Sequence, residues 1–470
     1  MGRPIERRQG SRYGRGAESV RKIMKFGGTS VGEAEAMSRT ADIIMGYDCQ
    51  RAVVVSAMSG VTNSLLEMMS DNRKEVPEYL SWLRAKHLDA ARENISAEHM
   101  SEYLDELEYR LVGLGRLIHL FRQDEGRIMF QDALSSWGER LSSLTLSYIL
   151  RSRGLDSVAV TAEDIGIVAN GPPGNGSADL LATEANLRRT LVPLLQAGCV
   201  PIITGYYGCD QRGRPLTFGR GGSDYSAAVV GYGVDADEVE IWTDVDGFMS
   251  ADPRVVKNAR TITEMDYGEA AELAYFGAKV LHPRTIEPAK RKGVAVMVKN
   301  TFNPQGKGTR IHGLNRRGSD MLRSVALKTG LSIVKVYSSE LVYQPELEAR
   351  IIGVICSNGV SIYAVSTSLS TLAVAVPSES VDEVCGRLQG FQDEVEAVKV
   401  KKDAALICAV GDGMLEICGV SAKIFTAVAD VGANIELISE GASDIALNFM
   451  VGDTKAVDVI KRLHELYIGA

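Results

Sequence analysis

The 470-residue sequence predicts an α/β protein, a three-layer αβα unit built on a mostly parallel sheet, followed by two ferredoxin-like βαββαβ modules. Three observations carry that prediction. Strand and helix patterns alternate from Lys22 to Lys299, which is how a parallel sheet with helices on both faces is written. The run RAVVVS (51–56) is almost continuously apolar and β-branched, as a strand buried on both sides requires. Finally, Leu331–Pro377 and Ala404–Val451 each read strand, helix, strand, strand, and align at a fixed offset: Arg350 with Lys423, Gly359 with Gly432, Ser361 with Asn434 and Ser366 with Ser439, each 73 residues apart.

Taken in order, residues 1–22 carry seven Lys or Arg against two acids and no apolar core, so they read as a disordered basic tail rather than a signal peptide. KIMKF (22–26) is a strand feeding Gly27 and Gly28, with Lys25 just before them and a helix from Glu33 to Met45 after. A strand, a Gly-Gly turn and a helix form an anion-binding corner. AMSGVTN (57–63) is a small-residue turn opening the next helix. The stretch of about 65–150 is helical throughout, with WGER near its end placing Glu139 beside Arg140. Further strands are expected at 157–160, 200–204 and 215–218, with a helix over 178–196.

TFGRGGSDYSAAVV (217–230) is the densest motif. Three glycines let backbone N–H groups approach an anion, and a small-residue helix beginning near Ser223 adds its positive end. Next come a strand at 238–243, the turn TDVDG with Asp244 and Asp246, a helix stopping at Gly277, then Lys279, His282 and a strand at 294–299. The aspartates suit Mg²⁺, ribose or plain turn chemistry. His282, next to Pro283, reads as a packing residue.

Composition narrows the function. A net charge of -8 and a pI near 5.5 argue against a nucleic-acid surface, and no apolar run approaches a membrane span. Seven scattered cysteines without a CxxC pair indicate neither a disulfide framework nor a zinc site, and a cytoplasmic location is expected.

The ordered motifs MKFGGTSV (24–31), VVSAMSGVTN (54–63), WGERLSS (137–143), FGRGGSDYSA (218–227), WTDVDGFMSADPR (242–254) and ELAYFGAKVLHPRTIEP (272–288) closely resemble the aspartokinases of the amino acid kinase family, over about residues 23–312. The C-terminal repeats resemble the tandem ACT modules of that family. The resemblance implies a catalytic domain at 23–318 and ACT modules at 319–402 and 403–470. It implies ATP-dependent phosphorylation of the side-chain carboxylate of L-aspartate, with Mg²⁺ carried on the phosphates and no metal site of the protein's own. Lys25 and Asp224 are the implied catalytic pair. Ser56, Thr62, Glu139, Arg220, Gly222 and Ser223 would hold the substrate, with Arg220 on a carboxylate and Glu139 on the α-ammonium. Lys25, Gly27, Gly28, Ser30, Thr243, Asp244, Arg254 and Lys279 would face the nucleotide. Ile362, Asn434, Ile435 and Ser439 are the candidate effector residues, in a homodimer or homotetramer. Alternatives are a kinase for another acidic amino acid on the same fold, or a non-catalytic amino-acid sensor.

Three residues depart from the family's pattern. Met249 stands where an aromatic is frequent near the adenine, and Cys418 where a proline is common. Tyr363 replaces an acid that lysine-inhibited members can have, which points from lysine toward threonine or weak regulation.

Overall fold

A computed structural model describes residues 20–468 except 72, 74, 124–127, 278–279, 314–321, 412–413, 415–416 and 440–442. Its main sheet contains β1 (Arg21–Phe26), β2 (Gln50–Val55), β3 (Ser157–Val160), β4 (Val200–Thr204), β5 (Glu238–Thr243), β6 (Glu264–Met265), β7 (Ala295–Asn300) and β8 (Thr309–Ile311). The spatial order is β6-β8-β7-β5-β1-β2-β4-β3. Pairing is parallel from β7 through β3, and β8 runs antiparallel to β7.

Side-chain alternation along each strand separates two cores. Met24, Phe26, Val53, Val55 and Ile202 point to the side of the helices Ala34–Met45 and Trp137–Ser152. Ile23, Val54, Ile203, Val239 and Ile241 point to the opposite side, against the helix Gly222–Gly233. This is the expected three-layer unit. Among the described residues, the expected helical stretch is a group of five helices from Val61 to Ser152, and the expected helix over 178–196 is two, Leu180–Thr190 and Val192–Gln196, with Pro193 at the start of the second.

The basic tail was expected to reach Lys22. Residues 1–19 lie outside the described residues, but Arg21 and Lys22 belong to β1, and the Lys22 ammonium lies 2.7 Å from both Glu238 and Glu240. Two carboxylates on the neighbouring strand draw this part of the basic run into the sheet.

The C-terminal part forms one six-stranded antiparallel sheet from β9 (Ser324–Tyr337), β10 (Ala364–Ser368), β11 (Thr371–Pro377), β12 (Ala397–Val410), β13 (Ile435–Ser439) and β14 (Ala446–Gly452), in the order β10-β11-β9-β12-β14-β13. All the elements of the two expected modules are present, but the expected division at 402/403 is not how they are shared. That boundary cuts the continuous strand β12. Moreover, the first half of β9 (324–328) pairs with residues 406–410, while its second half pairs with 397–401. The fourth strand of the second module thus comes from ahead of the first module, covering a sheet edge that would otherwise stay open. Leu331 lies opposite Ala404, so the 73-residue offset reappears as a direct strand pairing about a local pseudo-twofold. The outer strands β10 and β13 come back within 8 Å of each other, Cα to Cα.

The sheet is joined to the main unit through the helix Tyr267–Phe276, whose Ala270, Leu273 and Phe276 share a core with Leu331, Ile333, Ala404, Leu406 and Cys408. At the start of this helix, Glu269 is 3% exposed and takes the Arg323 guanidinium at 2.7 Å. Removing one partner of a buried pair strands the other charge. Arg323→Ala should therefore cost about 3–5 kcal/mol and lower the unfolding temperature, measurable by calorimetry.

Candidate active site

The parallel strands β1, β2, β4 and β5 all end at one edge of the sheet, the place where an open α/β fold leaves room for ligands. There the turns after β1, β2 and β4, the start of the helix Trp137–Ser152 and the glycine loop before Gly222–Gly233 enclose a cavity of about 360 Å³. Its wall includes Lys25, Gly28, Ser56, Thr62, Glu139, Arg220, Gly222, Ser223 and Asp224, so these expected residues converge on one space.

Lys25 Nζ lies 2.5 Å from Asp224 Oδ1, with both side chains largely shielded from solvent. β1 delivers the lysine and the first turn of Gly222–Gly233 delivers the aspartate, so the pair ties a strand end to a helix start. Glu139 is 3% exposed, and its Oε2 has no hydrogen-bond partner. Burial raises its carboxyl to about 8, against a smaller opposing effect of the Ala57 backbone and the nearby Lys25 charge. Arg220 is exposed at the mouth of the cavity. An unpaired buried acid and a guanidinium therefore face one space beside an ammonium–carboxylate pair.

The loop geometry depends on glycine at two places. Gly219 and Gly221 both have φ of 72°, in the left-handed region. A Cβ on Gly221 would meet His282 Cβ at 2.2 Å, and one on Gly222 would meet the Tyr206 ring at 2.8 Å.

The expected nucleotide residues are less uniformly placed. Gly27 sits behind the lysine, with its ideal Cβ 3.5 Å from Lys25 Nζ and 4.0 Å from the Trp242 carbonyl oxygen. Thr243 and Asp244 follow at the end of β5, where the threonine hydroxyl donates to the carboxylate at 3.1 Å. Ser30 is buried, and its hydroxyl lies 3.0 Å from that of Thr301, which makes it a brace between two turns rather than part of the cavity wall. Arg254 pairs with Asp252 at 2.6 Å on an exposed turn. Lys279 lies outside the described residues. Met249 accepts a hydrogen bond from Thr261 at its sulfur. Among the effector candidates, Ile435 and Ser439 bound β13, with Asn434 just before it, and the Ile362 carbonyl accepts from Tyr275 at 3.0 Å. The approach of β10 to β13 brings these two regions toward each other.

Sequence reasoning missed Tyr206, which lines the cavity with a φ of 79° that a tyrosine rarely adopts. It also missed Asp132 and Arg284, a lone acid in a helical pattern and a basic residue after a proline, neither of which carries a local signal. His282 is the packing residue expected, its Nδ1 accepting from the Arg284 amide at 3.3 Å and its imidazole pushed toward the neutral form by burial.

The sequence model of the amino acid kinase family matches residues 20–300. The chain belongs to the amino acid kinase family. An ACT domain model matches residues 407–467. Among curated relatives of this kinase, lysine-sensitive aspartokinase 3 of Escherichia coli (strain K12) is 31% identical, covering 94% of this chain and 98% of the relative. Chloroplastic aspartokinase 1 of Arabidopsis thaliana is 30% identical, covering 95% and 80% respectively. The crystal structure of E. coli aspartokinase III in complex with aspartate and ADP superimposes with a TM-score of 0.80 at 30% identity, covering 94% of this chain and 99% of that one.

Any side chain at Gly221 must displace His282 and hold a left-handed φ. Gly221→Ala in this family member should lose about 1–3 kcal/mol of stability and collapse the anion cradle, read by thermal unfolding and by amide exchange at 219–224.

Proposed function

We propose that this chain is an aspartate kinase, transferring the γ-phosphoryl group of ATP to the side-chain carboxylate of L-aspartate. The observation that carries the reading is the unpartnered, buried Glu139 oxygen sharing a cavity with Arg220 and the Lys25–Asp224 pair. An amino acid with a second carboxylate satisfies both: its ammonium supplies the counter-charge that Glu139 lacks, and Arg220 grips a carboxylate with its planar fork.

The reacting carboxylate is ionised at neutral pH, so no general base is required. Its oxygen bonds to the γ-phosphorus while the bridging bond to the β-phosphate breaks, giving 4-phosphoaspartate and ADP. Charge spreads over the transferring oxygens, and catalysis consists of holding the partners in line and offsetting that charge. Lys25 is the point charge for this task, and Asp224 holds its ammonium in place. The Gly222 amide already donates to the Gly219 carbonyl at 3.0 Å, so the helix start offers the Ser223 N–H on the acceptor side. Gly27, Thr243 and Asp244 mark the nucleotide side. Mg²⁺ carried on the phosphates, with few protein ligands, would neutralise phosphate charge.

The reaction stands at the entry to aspartate-derived amino acids, and the C-terminal sheet is the natural seat of feedback control and of pairing between copies. Tyr363 already carries the Lys328 ammonium 4.0 Å from its ring centroid, so free lysine would meet a like charge there, which favours threonine as effector. No helix among the described residues is long and apolar enough to cross a membrane, and all seven cysteines are free.

With Mg-ATP, hydroxylamine and a panel of amino acids, aspartyl hydroxamate should form and glutamyl hydroxamate should not; no hydroxamate above background would sink the reading. The same assay with threonine, lysine or methionine added reports the effector, and sedimentation at micromolar concentration reports the dimer. Lys25→Ala and Asp224→Ala should each lower kcat by about 10²–10³, the scale of losing one preorganised charge contact.

Glu139 gives a pH signature. Burial raises its folded pKa to about 8, above the usual carboxylate range, so the free protein holds the proton at pH 7, and the stability this group contributes is fully present below the ordinary carboxylate pKa and is lost progressively as pH rises from there through about 8. An incoming ammonium favours the carboxylate, so aspartate binding at pH 7 should release close to one proton. Calorimetry in buffers of different ionisation enthalpy should show that release, and Glu139→Gln should abolish it.

A further inference from the structure

We infer that Asp132 and Arg284 are positioning residues that form a two-sided clip, fixing the Arg220–Asp224 loop by holding the strand that leads into it against the loop 171–177. Asp132 is 4% exposed. Its carboxylate accepts from the Gly174 amide at 2.9 and 3.0 Å, from the Thr217 amide at 2.9 Å and from the Thr217 hydroxyl at 3.0 Å. Arg284 grips the same two segments through their acceptors. It donates to the Phe218 carbonyl at 2.8 Å and Asn175 Oδ1 at 3.2 Å from one nitrogen, and to the Gly176 carbonyl at 2.6 Å and Ser177 Oγ at 2.8 Å from the other. Between them the Gly176 amide donates to the Thr217 carbonyl at 2.8 Å.

A carboxylate can only accept and a guanidinium can only donate, so the two ions sort the amides and carbonyls of these segments into a single register. Among the described residues, each is held by neutral dipoles rather than by an opposite charge. The Gly174 carbonyl would lie 2.9 Å from a Cβ on Gly219, so the held loop abuts the turn just before Arg220. Neither Asp132 nor Arg284 lines the cavity, nor do the residues they bond; they act through Gly219 and Arg220, which follow Phe218 in the chain and do line it. Everything they hold belongs to the acceptor side; among the described residues, none of these hydrogen bonds reaches the nucleotide-side turns after β1, β5 and β7.

The kinetic consequence rests on the aspartate reading above, while the geometric one does not. A shift of about 1 Å in Arg220 is enough to cost tenfold to a hundredfold in kcat/KM. Arg284→Ala should lower kcat/KM for aspartate by that amount and leave the KM for ATP near its wild-type value. A second cavity of about 440 Å³ opens beside Arg284 and Tyr225, so added guanidinium at millimolar concentration has access and should restore part of the lost rate. Arg284→Lys should not restore it, because an ammonium cannot span two carbonyls in the plane of a fork. Asp132→Asn should give the same aspartate-selective defect, since an amide NH₂ would face backbone donors.

Amide hydrogen exchange of Arg284→Ala provides a readout independent of any substrate: residues 174–177 and 218–222 should exchange faster, and β1 and β5 should not. Unchanged exchange there overturns the clip, as does an equal loss of kcat/KM for both substrates without guanidinium rescue, or a normal kcat/KM for aspartate in both variants. If the wild-type protein makes no hydroxamate, the aspartate reading falls and the exchange experiment still decides the clip.

Discussion

The contact on which the site depends is the ion pair between Lys25 and Asp224. Two opposite charges with little solvent around them attract strongly, yet each has lost much of its hydration, so the pair persists only where the backbone brings both ends together without slack. That demand explains the surrounding architecture. Lys25 is in register with Val54 on one side and Ile241 on the other, so its backbone is fixed by two parallel neighbours. Asp224 is fixed by the first turn of a helix whose start is set by two left-handed glycines.

Burial then assigns different tasks to carboxylates lying close together. Asp224 meets an ammonium, Asp132 meets only amides and a hydroxyl, and Glu139 keeps one oxygen unmatched. The first organises a catalytic charge, the second holds backbone, and the third awaits a cation from outside. Residue type alone would not separate them; the donors around each one do.

Much of this was legible in the sequence, because local rules and the global fold agreed along β1, β2, β4 and β5 and at the glycine loop. Lys25, Glu139, Arg220 and Asp224 sit in motifs whose neighbours announce a strand end or a helix start. Asp132 was not legible because its partners lie 42 and 85 residues away and are, apart from the Thr217 hydroxyl, backbone groups, which leave no trace in composition. Tyr206 was not legible because its left-handed φ contradicts its own preference and is imposed by the turn after β4. Ser30 misled for the opposite reason: a hydroxyl beside a Gly-Gly turn suggests phosphate, and Thr301, distant in sequence, takes it instead. In the C-terminal half the repeat gave the elements but not their ownership, since a periodic pattern cannot say which module borrows a strand.

That borrowed strand bears on how the protein can be taken apart. Because the first half of β9 completes the second module while the second half belongs to the first, the second module is not a contiguous cassette. A recombination point or engineered fusion at 402/403 would hand one partner a sheet with an open edge and leave the other with an orphaned strand. A transplantable second module must bring residues 324–328 along with 404–467, and the heritable unit of this half of the protein is accordingly the interleaved pair.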